Sequence, residues 1–169
     1  MVDGDMRAAS LTSSLGYRDR PGLVDALAEM LPMEDAGIVK LSDSLYLLPA
    51  RPSRVNAAQM LSSPHTESLL RELRESFDYI LLDTPPIAAL ADGLILASLS
   101  DVVVFVVRAG LTRPADLKAA SASLGQSRTP VEGMVMFEDL VTKPYYPIMT
   151  GRTADTPVAA SPTLAPARK

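Results

Sequence analysis

Phe77-Asp78-Tyr79-Ile80-Leu81-Leu82-Asp83-Thr84-Pro85-Pro86 decides how the rest of the chain is read. It is an apolar run of strand length that ends on a carboxylate. It then turns, because Pro85 and Pro86 cannot continue a hydrogen-bonded ladder. Continuous apolar strands belong to parallel sheets covered on both faces. Active groups of such sheets lie beyond the carboxyl ends of the strands, which is where Asp83 falls. A carboxylate there suits magnesium, a hard cation that keeps most of its waters. The plain structural alternative is a buried strand closed by an aspartate that accepts local backbone N–H bonds. The strand pattern by itself leaves both readings open.

Strands and helices alternate around this run. Residues 20–31 read as a helix with Leu23, Leu27 and Met30 on one face. Residues 45–48 read as a short buried strand stopped by Pro49. Residues 64–77 form an amphipathic helix, with Leu69, Leu70, Leu73 and Phe77 opposite Arg71, Glu72, Arg74 and Glu75. Residues 102–107 are a second continuous apolar strand. Residues 114–124 are a helix, with Pro114 in its first turn and Gly125 past its end. Residues 131–137 are the last strand. This order predicts an α/β domain on a parallel sheet over residues 1–149. Residues 150–169 are rich in Pro, Ala and Thr without a period, and read as a disordered tail.

Composition narrows the function. The 169 residues suit one domain, and an apolar content of 47% supplies a core. A net charge of −4 without a basic cluster argues against nucleic acid as the main partner. The chain has no cysteine, which removes disulfides, thiolate chemistry and cysteine-held zinc, in keeping with a cytoplasmic location. No run reaches the roughly 18 apolar residues of a spanning helix. The acidic start is unlike a signal peptide.

Three further blocks join the first. The chain opens Val2-Asp3-Gly4-Asp5-Met6-Arg7, continues through Arg20-Pro21-Gly22-Leu23-Val24-Asp25-Ala26-Leu27, and later reads Val106-Val107-Arg108-Ala109-Gly110-Leu111-Thr112. With Asp83-Thr84-Pro85-Pro86, this ordered set resembles the catalytic domain of the bacterial tyrosine kinases of capsule and exopolysaccharide export, over roughly residues 2–135. The resemblance implies a P-loop NTPase-like, three-layer α/β domain. It makes Asp3 and Asp5 the Walker A′ carboxylates and Asp83 the Walker B residue, with ATP and magnesium as cofactors. It places Asp3 and Asp83 at the metal, and Asp3, Asp5 and Asp83 at the reacting groups. Arg108 then becomes a candidate for a phosphate or, on the plain reading, for an ion pair. The family phosphorylates tyrosines near its C-terminus, which points to Tyr145 and Tyr146. The implied partner is a membrane polysaccharide co-polymerase, a complete kinase or a second copy, at the inner face of the membrane. A more distant resemblance, to ATPases of the ParA and MinD type, is opposed by the Arg-Pro-Gly-Leu and Arg-Ala-Gly-Leu-Thr blocks.

The chain also departs from the family. A P-loop needs Gly-Lys-Ser/Thr, so that backbone N–H groups and the lysine hold the phosphates. None of Lys40, Lys118, Lys143 and Lys169 follows a glycine. The expectation is therefore a domain that lacks the first strand, P-loop and first helix, and is inactive or weakly active by itself. Phe137 stands where the family strand ends on an asparagine near the base. The stretch from Leu48 to Ser63 is a degraded form of a family loop and helix.

Each site residue also has a plain reading. Asp3 and Asp5, on their spacing alone, are an exposed acidic terminus. Asp92, in Leu90-Ala91-Asp92-Gly93, stands where the family has an aspartate, and reads as a helix cap or as a residue facing the site. Tyr145 and Tyr146 suit a proline-rich segment packed on the domain. His65 is the only histidine and starts a helix. Met134 and Met136 are core or edge fillers.

Overall fold

The computed structural model describes residues 1–53, 56–87, 90–125 and 129–138. The expected tail over residues 150–169, with Tyr145 and Tyr146, lies outside them. The architecture is α/β with parallel strand pairs. Strand β1 (Val2–Asp3) pairs in parallel with β4 (Leu82–Asp83). On its other side, β1 bridges Leu48, beyond the end of β3 (Leu45–Leu47). Thus Asp3 N–H donates to the Leu48 carbonyl at 3.1 Å, and Leu48 N–H to the Met1 carbonyl at 2.9 Å. A second parallel pair joins β5 (Val103–Arg108) to β6 (Val131–Phe137). A hairpin of β2 (Val39–Ser42) with β3 is antiparallel.

Helices α1 (Ser10–Ser14), α2 (Leu23–Glu29), α3 (Ala57–Leu61), α4 (Pro64–Ser76), α5 (Ala91–Ser98) and α6 (Pro114–Leu124) link the strands. Local chemistry explains the ends of α4. The Ser63 side chain accepts the Thr66 N–H, and Pro64 occupies the first turn, where its missing donor costs nothing. Its apolar stripe, Leu69 and Leu73, enters a core with Val2, Met6, Leu23, Leu27, Leu48, Leu61 and Leu96. Tyr46 packs its ring on Phe77 with centroids 5.3 Å apart, which ties β3 to the end of α4. The Arg-Pro-Gly-Leu block has a steric reason. A Cβ on Gly22 would lie 1.9 Å from the Pro49 carbonyl oxygen, the same oxygen that accepts the Leu23 N–H at 2.8 Å.

The expected burial of two strands is not met. The run over residues 78–82 contributes only Leu82 and Asp83 to a strand, with Tyr79 89% and Leu81 65% exposed. Val104 and Val106 on β5 are 51% and 68% exposed, and Met134 and Met136 on β6 face solvent as well. Among the described residues the β1–β4 and β5–β6 sheets are separate, so β4 has one strand neighbour instead of two. Strands with apolar residues on both faces need cover on both sides, and here one side is open. Strand β3 was expected, but β2 and its antiparallel pairing with β3 were not legible in advance, because the alternation of β2 is short and weak.

Burial therefore sorts the effects of substitution. Replacing Leu61, which is 1% exposed, by alanine should cost about 2–5 kcal/mol in chemical denaturation. Changing Val106 to threonine should alter stability by less than about 0.5 kcal/mol. It should also lower both the binding of a hydrophobic dye and the tendency to associate, read by light scattering after size exclusion.

Candidate functional site

Parallel pairing brings the carboxylates together. Asp3 and Asp83 are register partners at the ends of adjacent strands. Such ends are where open α/β sheets place their reactive groups. The approach of the strands is close: Gly4 N–H donates to the Asp83 carbonyl at 2.8 Å. A Cβ on Gly4 would meet that oxygen at 2.7 Å and Leu96 Cδ1 at 2.5 Å. Glycine is thus required between the two aspartates by packing.

Asp3 is completely buried, which is opposite to an exposed acidic terminus. Its Oδ2 accepts the Thr12 hydroxyl at 2.7 Å and the Thr12 N–H at 2.9 Å. Its Oδ1 accepts the Asp5 N–H at 3.1 Å. Burial pushes this carboxyl above the usual range, against the pull of the Thr12 hydroxyl and N–H and the Asp5 N–H, with the Asp5 charge adding to the rise. Asp5 is also buried, and its Oδ1 accepts the Arg7 and Ala8 N–H groups at 3.1 and 3.0 Å. The loop closes at Ala9, a buried alanine in the left-handed region with φ of 47°. A non-glycine residue holds that conformation only where its surroundings enforce it.

Asp83 presents its outer edge to solvent at the end of β4. Partial burial, then the like charges of Asp3 and Asp5, raise its carboxyl from 3.8 to about 6, against a Thr84 N–H bond that favours the ionised form. Partial burial and the two neighbouring carboxylates thus outweigh the local bond at this strand end. The excess of negative charge suits a cation. Asp5 and Asp83 fit magnesium, whose needs one or two carboxylates can meet with water. Asp3 fits better as the organiser of the loop, since both its oxygens are engaged. Among the described residues no three acidic or imidazole side chains form a ready-made metal cage.

The other expected residues fall elsewhere. Arg108 closes β5, in the second sheet, where its N–H donates to the Thr112 hydroxyl at 3.1 Å. Phe137 is its strand partner. Asp92 is not a helix cap: Leu90 holds that position, and the Asp92 carboxylate meets Arg7 Nε at 3.0 Å. His65 Nε2 lies 3.1 Å from the Leu31 carbonyl oxygen, a structural contact. Thr12 was missed, for a threonine in Ser10-Leu11-Thr12-Ser13-Ser14 carries no motif of its own. An open cavity of about 570 Å³ adjoins Asp83, lined by Leu81, Leu82, Ser10, Leu11 and Ser14.

Comparison with known proteins fits this geometry. No family model matches the chain. It is 29% identical over 136 residues to the tyrosine-protein kinase YwqD of Bacillus subtilis, covering 80% of this chain and 57% of that one. The kinase domain of VpsO superposes with a TM-score of 0.74 at 28% identity, covering 81% of this chain and 68% of its own. This chain is a relative of the bacterial tyrosine kinases. The chain is also similar to the succinoglycan biosynthesis transport protein ExoP of Rhizobium meliloti, 30% identical over 115 residues, or 66% of this chain and 15% of ExoP. The chimerical protein CapA2B2 shares the fold, with a TM-score of 0.73 at 22% identity, covering 80% of this chain and 60% of its own. The chain spans 57% of the length of YwqD and 15% of that of ExoP.

The raised Asp83 carboxyl sets a pH dependence. Between 3.8 and about 6 the folded state holds more protons at this group than the unfolded state. Its contribution therefore turns unfavourable as pH rises through that window, and is constant above it. Asp83→Asn should remove the penalty. Thermal unfolding should show a higher midpoint for the variant near neutral pH and little difference below about pH 4. Solvent screening should shrink the gap as salt is added.

Proposed function

We propose that this chain serves exopolysaccharide or capsule synthesis as a domain of the tyrosine-autokinase type, with Asp3, Asp5 and Asp83 as the acidic pole of a magnesium–ATP site. The observation that carries this is the register of Asp3 with Asp83 at adjacent strand ends, with Asp5 beside them. The names of YwqD and ExoP supply the setting, kinase and polysaccharide export respectively. When bound, magnesium–ATP supplies the phosphoryl group and neutralises charge on it. Transfer of that kind depends on positioning and electrostatics. In this reading Asp3 holds the loop, Asp83 faces the metal, and Asp5 orients or accepts the proton of the attacking tyrosine hydroxyl. Tyr145 and Tyr146 are the acceptor candidates. Arg108 is a weaker candidate for a phosphate, because it sits in the other sheet.

The same reading makes the 169 residues inactive or weakly active alone. The acidic half of the site is assembled, while the sequence has no glycine–lysine loop for the phosphates. A second reading, a regulatory or scaffolding module that pairs with a complete kinase or a membrane polysaccharide co-polymerase, is favoured by the exposed valines of β5 and the open side of β4. In either case the chain works in the cytoplasm, reaching the membrane through a partner. Among the described residues no helix is long and apolar enough to cross a membrane.

Calorimetry with magnesium–ATP should give binding no tighter than millimolar for the 169-residue chain. Mass spectrometry should find no phosphate on Tyr145 or Tyr146 after incubation. Micromolar affinity or robust tyrosine phosphate would show a complete site and overturn the inactive reading.

A further inference from the structure

We infer that Arg7 and Asp92 are a positioning pair, which ties the Asp5 loop to helix α5 and so sets where the Asp5 carboxylate stands relative to Asp83. The inference rests on the reading of Asp5 and Asp83 as one acidic site.

Asp92 lies in the first turn of α5 without capping it. Its side chain is 3% exposed, and its Oδ2 receives Arg7 Nε at 3.0 Å. A carboxylate that deep needs a cation, because ionised groups are poorly tolerated away from water unless paired. Arg7 meets that need from the rim, with its side chain 44% exposed. The Arg7 backbone is itself part of the site. Its N–H and that of Ala8 are the donors to Asp5 Oδ1. Whatever holds the Arg7 side chain therefore also holds the groups that orient Asp5. Helix α5 touches this loop twice on one face. Leu96, one helical turn beyond Asp92, closes over Gly4, and Asp92 takes Arg7. The helix follows Asp83 through the turn at Pro85, whose carbonyl packs at Gly93. One rigid element thus references both carboxylates, which sit on chain segments far apart in sequence. Thr12 performs the same task for Asp3 from the opposite side, through α1.

The test compares Arg7→Lys, Arg7→Gln, Asp92→Asn and the double variant Arg7→Gln/Asp92→Asn, each in the whole 169-residue chain. Amide hydrogen exchange at positions 7 and 8 reads the loop directly. Magnesium titration followed by the NMR signals of Asp5 and Asp83 reads the site. Loss of outer partners of this kind costs metal affinity about tenfold or more. Arg7→Gln and Asp92→Asn should each weaken magnesium by about that factor, and should speed exchange at the two amides. The double variant should be no worse than either single one, since both remove one interaction. Arg7→Lys, which keeps the charge, should recover most of both effects. If Asp92→Asn fails to fold, Arg7→Lys against Arg7→Gln still decides, because that side chain is half exposed. A lowered melting midpoint with unchanged exchange at positions 7 and 8 would make the pair merely structural and overturn the inference. If the parent chain binds no magnesium, the site reading fails, and the exchange data alone decide whether the pair holds the loop.

Discussion

The buried carboxylate of Asp3 is the point on which the rest of the site depends. It accepts two bonds from Thr12 and one from Asp5, and Thr12 Oγ1 in turn accepts the Ala50 N–H at 2.9 Å. Three segments thereby meet at one side chain: the loop after β1, helix α1 and the chain beyond β3. A carboxylate away from water is tolerated only when its oxygens are satisfied by well-placed donors. Here the donors are backbone and hydroxyl groups instead of a countercharge. Asp3 consequently leaves the negative charge of the site uncompensated, and the load appears at Asp83, whose carboxyl is pushed up to about 6 by burial and by the two neighbouring aspartates. The same network that shapes the loop brings three carboxylates close together at one end of the sheet.

Around that centre the fold is well packed on one side and open on the other. Strand β1 has neighbours on both edges, and the core cluster from Val2 to Leu96 draws on β1, α2, α3, α4 and α5 and on the segments between them. By contrast, β5 and β6 pair with each other while most of their large side chains stay in contact with solvent. Exposed apolar strand faces of that extent mark interaction surfaces in soluble proteins. The closed half carries the carboxylates, and the open half carries the exposed valines and methionines of β5 and β6.

Much of the fold was legible in the residues. Helices α4 and α6 were readable because their signals are local: Ser63 and Pro64 at one start, Pro114 at the other, and Gly125 past the end. Strands β5 and β6 were readable as apolar runs within a residue of their ends. The order of the four motifs carried the relationship to the tyrosine kinases. Asp83 was readable as a candidate from its place at a strand end, whereas Asp3 and Asp5 became candidates only through the resemblance.

What the sequence determined by itself is thus the elements with strong local signals, among them α2, α4, α6, β5 and β6, and their order, since propensity, capping and periodicity act over a few positions. Tertiary structure alone decided the rest. That Thr12 serves Asp3, that Asp92 pairs with Arg7 instead of capping α5, and that Gly4 is demanded by Leu96 and the Asp83 carbonyl all follow from contacts between distant segments. The exposure of Tyr79 was decided in the same way. An apolar run states that a strand prefers cover, but only the number of neighbouring strands and helices determines whether it receives any.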